Sequence, residues 1–289
     1  MKKDITLIIG PTAIGKSDLA IEYAKKNNSE IISADAFQVY KYMDIGTAKV
    51  PLTIRNKIPH HLIDIKEPNE SYSVAEFLSL SEKIITNLRK KNTPIIICGG
   101  TGMYINAFLY NYKFQDKTEN PKLREKIQKE AEEIGPIKLW EKLNNIDPKS
   151  ANIIDPNNVR RTIRALEVYY QTDTLPSKIR TKSASQRQDV NIIGLSSERK
   201  TIVERINIRV DQMIENGLIE EVKNILDMAY DQNAQAFEAL GYKETIKYLN
   251  GSITKEEMIN LIKVKTRQFA KRQMTWFKKI ENIQWHNII

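Results

Sequence analysis

Residues 10–17 read Gly10-Pro11-Thr12-Ala13-Ile14-Gly15-Lys16-Ser17, the full G-x-x-x-x-G-K-[ST] spacing of a phosphate-binding loop. An apolar run, Ile5 to Ile9, precedes it, and a helical pattern from Asp18 to Ala24 follows. A strand feeding a loop that opens a helix restricts the fold severely: backbone N–H groups wrap a phosphate at a helix N-terminus, where the dipole favours negative charge. Gly10, Thr12, Ala13, Ile14, Gly15, Lys16 and Ser17 are the expected diphosphate contacts. Lys16 brings a point charge, and Ser17 a hydroxyl for a Mg²⁺ that also touches the phosphate. The loop predicts binding of a di- or triphosphate and leaves open what is done with it.

The first hundred residues alternate strand and helix patterns. Ile5–Gly10, Glu30–Ala34 and Pro94–Cys98 read as strands, Lys16–Lys26 and Val74–Lys91 as helices, the latter with Ser73 and Glu76 spaced as a capping box. Short, continuous apolar runs separated by helices predict parallel strands buried on both faces. From Asn120 to Gln171 the pattern is helical only, with starts at Pro121, Pro136 and Asn157. Residues 172–189 are polar and basic and read as a mobile linker or arm; Val190–Leu195 is a strand again. The C-terminal third is helical, ending in Lys255–Lys279 and a short edge strand at Ile283–His286. The expectation is an α/β fold: a P-loop-type doubly wound parallel sheet with a helical insertion domain. Its parts are residues 1–112, an insertion at 113–189, and a return to the core at 190–289.

The 289 residues, 41% of them hydrophobic, suffice for a substantial core. A formal net charge of +9 exceeds what a nucleotide site needs, and suits nucleic acid first and a membrane surface second. A composition rich in Lys, Asn and Ile throughout is the plainer alternative. The single cysteine, Cys98, excludes a disulfide framework or a cysteine-rich zinc module and reads as a small core residue. Without a signal peptide or a run near the ~18 apolar residues of a membrane span, the expected location is the cytoplasm.

An ordinary P-loop ATPase carries an acid at the end of a later strand. Here that strand ends Cys98-Gly99-Gly100-Thr101-Gly102, whereas the second strand ends Ser33-Ala34-Asp35. In a parallel sheet the ligand crevice lies beyond the carboxyl ends of the strands, so residues 10–17, Asp35 and residues 99–104 are expected to converge. Asp35 then reads as a base or amine anchor facing an acceptor; the alternative is an N-cap for the segment that follows. The glycines at 99–102 either make a sharp turn or let a substrate approach the backbone. His60 and His61 lack a third ligand and are not read as a metal site.

With these segments in place, the chain resembles the tRNA dimethylallyltransferase (tRNA isopentenyltransferase) family in its short bacterial form. The likeness rests on the loop at 10–17, on Ser33-Ala34-Asp35-Ala36-Phe37-Gln38-Val39-Tyr40, on Met43-Asp44-Ile45-Gly46-Thr47-Ala48-Lys49, and on Gly99-Gly100-Thr101-Gly102-Met103-Tyr104. In the second half it rests on Arg160-Arg161-Thr162-Ile163-Arg164-Ala165-Leu166-Glu167-Val168, Ala239-Leu240-Gly241-Tyr242-Lys243-Glu244 and Thr266-Arg267-Gln268-Phe269-Ala270-Lys271-Arg272-Gln273. The chain departs from the family at Ala36, where Ser is usual, and at Asp155-Pro156-Asn157-Asn158, where His-Pro-Asn-Asp is usual.

The resemblance implies transfer of a dimethylallyl group from dimethylallyl diphosphate to the N6 amine of the adenosine beside the anticodon. Lys16, Asp35 and Thr101 are its implied catalytic residues, with Thr101 positioning the amine. An arginine of the Arg199, Arg205, Arg209 series is implied to extend the diphosphate clamp, and Arg209 is carried forward. The implied tRNA contacts are Asp35, Ala36, Phe37, Gln38, Thr101, Arg124, Arg160, Arg161, Thr162, Ile163, Arg164, Lys271 and Arg272. Gln38 reads either as an amide for a base edge or as a satisfied turn residue. The basic residues of the last helix read as a phosphate-binding face, against the alternative of a solvated one, while Trp276 and Phe277 read as core. Partners are the tRNA anticodon stem-loop and dimethylallyl diphosphate, the cofactor is Mg²⁺, and a monomer without membrane contact is expected. A small-molecule P-loop kinase and an adenylate isopentenyltransferase acting on free nucleotide are the rival readings.

Overall fold

Six strands, β1 (Ile5–Ile9), β2 (Glu30–Ala34), β3 (His60–His61), β4 (Ile95–Gly99), β5 (Val190–Ser196) and β6 (Ile283–Asn287), form one sheet. Their order is β3-β2-β4-β1-β5-β6, and every neighbouring pair is parallel. The computed structural model describes residues 3–113, 120–179 and 185–288. In β1, Ile5, Leu7, Ile8 and Ile9 are all fully buried. Burial of each such side chain is worth about 1.5–3 kcal/mol, which explains why the central strand is aliphatic without alternation.

The first connections are α1 (Lys16–Asn27), α2 (Leu52–Arg55), α3 (Val74–Lys90) and α4 (Gly102–Leu109). Ser73 caps α3 by accepting the Glu76 N–H at 3.2 Å, but the box is half made, because the Glu76 carboxylate pairs with Lys66 instead. A separate run of helices follows: α5 (Pro121–Ile134), α6 (Pro136–Ile146), α7 (Pro148–Ala151), α8 (Val159–Thr172) and α9 (Pro176–Ile179). The chain then returns through β5, α10 (Arg199–Glu215), α11 (Leu218–Asp227), a 3₁₀ turn, α12 (Tyr242–Leu249) and α13 (Lys255–Phe277) to β6. Two compact units result. One holds Met1–Leu109 and Gln186–Ile289, the other Tyr110–Ser185.

The second unit has its own core, in which Leu139, Leu143, Ala151 and Leu166 are fully buried. α8 starts two residues later than the sequence suggests. The Asn157 N–H is taken by Asp155, and Asn158 caps the helix through the Arg161 N–H. The expected mobile arm at 172–189 is in large part built: α9 occupies Pro176–Ile179, with the Ser177 N–H on Asp147. Residues 180–184 lie outside the described ones. In the first unit, Arg187 pairs with Asp189 and Glu82, and Arg89 bridges Asp189 and Asp4 at 2.7 and 2.6 Å. That network ties the segments entering β1 and β5 together. It also holds Asp4 and Asp189 below the usual carboxylate range, through the guanidinium hydrogen bonds they accept. Among the described residues, no helix is long and apolar enough to cross a membrane.

Candidate active site

The loop at 10–17 leaves β1 and opens α1, with Gly15 at φ 99° in the N-cap position and Ala13 held at φ 63°. A non-glycine residue in the left-handed region costs energy, and such residues concentrate at ligand-binding turns. Lys16 folds back on its own loop, donating to the Pro11 carbonyl at 2.7 Å. Thr12, Lys16, Ser17, Asp35, Arg209 and Gln273 share one cavity beyond the carboxyl ends of β1, β2 and β4. Burial pulls the Lys16 ammonium down to about 8. The neighbouring Arg209 pushes the same way, while Cys98 and Asp35 partly oppose it. Arg209 is itself lowered by burial, so two desolvated cations, Lys16 and Arg209, line the cavity. Burial also raises the Cys98 thiol to about 11, which keeps it protonated and excludes a thiolate nucleophile at neutral pH.

Asp35 follows β2 and performs two jobs at once. Its Oδ1 accepts the Phe37 and Gln38 N–H groups at 2.9 and 3.3 Å, which closes the turn. Its Oδ2 receives no hydrogen bond from a described residue, and Asp35 lines the cavity. Among the described residues lining that cavity Asp35 is the only carboxylate. Thr101 stands outside the lining; its Oγ1 accepts the Ala36 N–H at 3.1 Å, and its N–H donates to Ala34 at 3.3 Å. Thr101 thus splices β2 to the turn after β4 and holds Asp35 in place.

The glycines of that turn admit protein. A Cβ on Gly99 would meet Ala34 at 2.2 Å, one on Gly100 the Gln273 amide at 2.2 Å, and one on Gly102 the Trp276 ring at 2.7 Å. Helix α13 lies against the turn, and the absence of side chains lets it reach there. Gln273, which the sequence reading gave no role, is 3% exposed and bridges Thr12 N–H and Gly100 C=O at 2.8 and 2.9 Å. A signal existed: Ile262, Thr266, Ala270, Gln273 and Phe277 form a buried stripe at helical spacing, and an amide in such a stripe must bind something.

A family model described as IPP transferase matches residues 38–280, and one described as isopentenyl transferase matches residues 3–55. A tRNA dimethylallyltransferase of Alkaliphilus oremlandii is 48% identical over 289 residues, covering 100% of this chain and 92% of that one. The chain belongs to the tRNA dimethylallyltransferase family. Solved relatives agree with this. The tRNA isopentenylpyrophosphate transferase of Bacillus halodurans superposes with a TM-score of 0.72 at 41% identity, over 99% of this chain and 90% of its own. A eukaryotic dimethylallyltransferase acting on tRNA reaches a TM-score of 0.81 at 30% identity, over 99% of this chain and 74% of its own.

The residues that the family likeness marks for tRNA fall into distinct groups. Arg160 and Arg161 are exposed on α8 and carry no ion pair among the described residues. Arg124 and Arg164 are exposed too, but both rest on Glu167, a carboxylate with no exposed surface, at 3.0 and 2.8 Å. The side chains of Thr162 and Ile163 correct the expectation. They are 0% and 5% exposed, turned into the unit's own core by the helical repeat that turns the arginines out. Gln38 is a satisfied turn residue: its amide donates to Thr47 and Ala48 carbonyls and accepts from Ser33. Ile14 is 1% exposed, which leaves only its backbone for a phosphate. On α13, Lys263 is paired with Asp211 and Arg267 with Asn207, whereas Lys271 and Arg272 are exposed. Of the arginine series, Arg209 reaches the cavity and Arg205 binds the Ile14 carbonyl from outside it.

Proposed function

We propose that this chain transfers the dimethylallyl group of dimethylallyl diphosphate to the N6 amine of the adenosine beside the anticodon of tRNA, releasing pyrophosphate. The observation that carries the reading is the cavity's asymmetry: two desolvated cations and the phosphate loop stand with one carboxylate among the described lining residues, and that carboxylate has one oxygen to spare. A phosphoryl-transfer or hydrolytic site needs a further acid to hold metal or to aim water. An allylic diphosphate needs only a stabilised leaving group and an oriented amine.

In the reaction the bond between allylic carbon and diphosphate oxygen breaks, and its electron pair leaves with pyrophosphate. Lys16, Arg209 and the loop amides meet that developing charge where it forms. The N6 lone pair makes the new carbon–nitrogen bond, and Asp35 Oδ2 accepts the hydrogen bond, then the proton, of the attacking amine. Among the described residues no three His, Cys, Asp or Glu side chains cluster as metal ligands. Ser17 beside a diphosphate fits Mg²⁺, which keeps few protein ligands and takes phosphate oxygens instead. Bound there, Mg²⁺ supplies charge neutralisation of the departing pyrophosphate.

The adenine must leave the loop stack to reach Oδ2, as in other base-modifying enzymes. Arg160, Arg161, Lys271 and Arg272 are the cations we assign to RNA phosphates. The test is incubation with tRNA and labelled dimethylallyl diphosphate, followed by nucleoside analysis. Prenylated adenosine from the anticodon loop is the expected product. ATP turnover with unmodified tRNA, or preferential prenylation of free AMP, would overturn the assignment.

A further inference from the structure

The Pro11–Thr12 peptide group of the phosphate loop is held from both sides. Its carbonyl accepts the Lys16 ammonium, and its N–H donates to Gln273 Oε1. The other end of the same amide, Nε2, donates to Gly100 C=O in the turn that fixes Asp35 through Thr101. An unbroken run of hydrogen bonds therefore links the turn after β4, Gln273, the Pro11–Thr12 peptide and the ammonium of Lys16. The partners in sequence stand 173 and 261 residues from Gln273, so nothing local imposes this arrangement.

We propose that Gln273 is a positioning residue of the reaction: it sets the plane of the Pro11–Thr12 peptide, and through it the position of Lys16, in register with the turn that carries the acceptor side. Three facts of geometry support the assignment. The side chain is almost wholly buried, so its amide is a fixed element. Both of its polar ends are used, each on the backbone of a different loop of the cavity. Gly100 has no room for a Cβ because the Gln273 amide stands where it would go. Gln suits the task because it can accept at one end and donate at the other, which neither Glu nor Met can do.

This inference rests on the prenyl-transfer reading for its kinetic consequence but not for its binding consequence, and the experiment separates the two. Inorganic pyrophosphate is titrated by calorimetry into the full-length protein, wild type and Gln273→Met, in the presence of Mg²⁺. Gln273→Met keeps length and packing while removing both hydrogen bonds. The expected result is pyrophosphate affinity weakened about tenfold, with tRNA affinity within twofold of wild type. In turnover, the KM for dimethylallyl diphosphate rises by a similar factor while kcat changes less. A second route avoids reliance on one variant. Gly100→Ala displaces the amide and gives the same loss, and Gly100→Ala/Gln273→Ala is no worse than Gln273→Ala alone. Pyrophosphate affinity within twofold of wild type in Gln273→Met overturns the proposal, as does additive loss in the double variant or an equal loss of tRNA affinity. Failure of wild-type protein to prenylate tRNA, with these titrations as expected, would overturn the functional reading and leave Gln273's role standing.

Discussion

Replacing Asp35 by Asn and by Ala separates the two jobs of this side chain. Oδ1 receives the Phe37 and Gln38 N–H groups, and an Asn oxygen can receive the same pair. Asp35→Asn therefore keeps the turn and changes only the atom in the cavity, from an acceptor to an N–H donor. Stability should drop by at most about 1 kcal/mol, the difference between a charged and a neutral acceptor. Asp35→Ala leaves both donors without their acceptor, and should cost about 1–3 kcal/mol. Catalysis should not distinguish them: both variants lose the proton acceptor, so both should fall by about 10²–10⁴-fold in the chemical step. That corresponds to roughly 3–5 kcal/mol of transition-state stabilisation, more than the turn is worth. Single-turnover prenylation with enzyme in excess over tRNA measures the chemical step, and thermal denaturation measures the turn. A rate for Asp35→Asn within tenfold of wild type would refute the reasoning and reduce Asp35 to a turn former. A tRNA affinity lost more than tenfold in Asp35→Asn would make it an RNA anchor instead.

Other outcomes follow from the same geometry. With its pKa pulled to about 8, Lys16 is charged below that pH and must take up a proton on binding above it. Affinity for dimethylallyl diphosphate should therefore fall as pH rises through 8, and Lys16→Met should abolish the break; a break that survives in the variant assigns it elsewhere. Arg161→Ala should weaken tRNA binding and lower the salt slope by about one ion, while Thr162→Ala should leave both unchanged, as filter binding across a salt series will show. Gly102→Ala pushes a methyl against the Trp276 ring and should cost about 1–3 kcal/mol in denaturant titration; no loss would mean the helix yields freely. Asp4 and Asp189 have carboxyls held below their ordinary value of 3.8 by Arg89 and Arg187, so their contribution is complete above about pH 4 and disappears as pH falls further. Acid denaturation of Arg89→Met should show a shallower decline in that window than wild type.

Much of this protein is legible in its sequence. The aliphatic runs at residues 5–10, 30–34, 94–98 and 190–195 announced buried parallel strands, each within a residue of the observed ends, because a strand covered on both faces has no reason to alternate. β3 was not legible: two histidines, one bonded to the Ile58 carbonyl and one to Glu30, join the sheet by tertiary context alone. Arg160 and Arg161, expected as part of a basic stripe, are exposed, whereas Thr162 and Ile163 just after them were not expected inside, although a helical wheel separates them. Gly100 and Gly102 were visible, but their reason was hidden, since the helix that needs their bareness lies more than a hundred residues away.

What the sequence determined by itself is the local chemistry: a loop whose eight residues make a phosphate cradle wherever a strand feeds a helix, an acid at the end of the second strand, and a cationic surplus. Those properties depend on neighbours a few residues apart, so they can be read along the chain. Tertiary structure decided which groups are spent and which are spare. It commits the Gln38 amide to carbonyls nine and ten residues on, sets Arg124 and Arg164 on one buried carboxylate, and brings Gln273 onto Thr12 across 261 residues. A hydrogen bond saturates its donor, so the function left to a polar side chain depends on what folding has already asked of it.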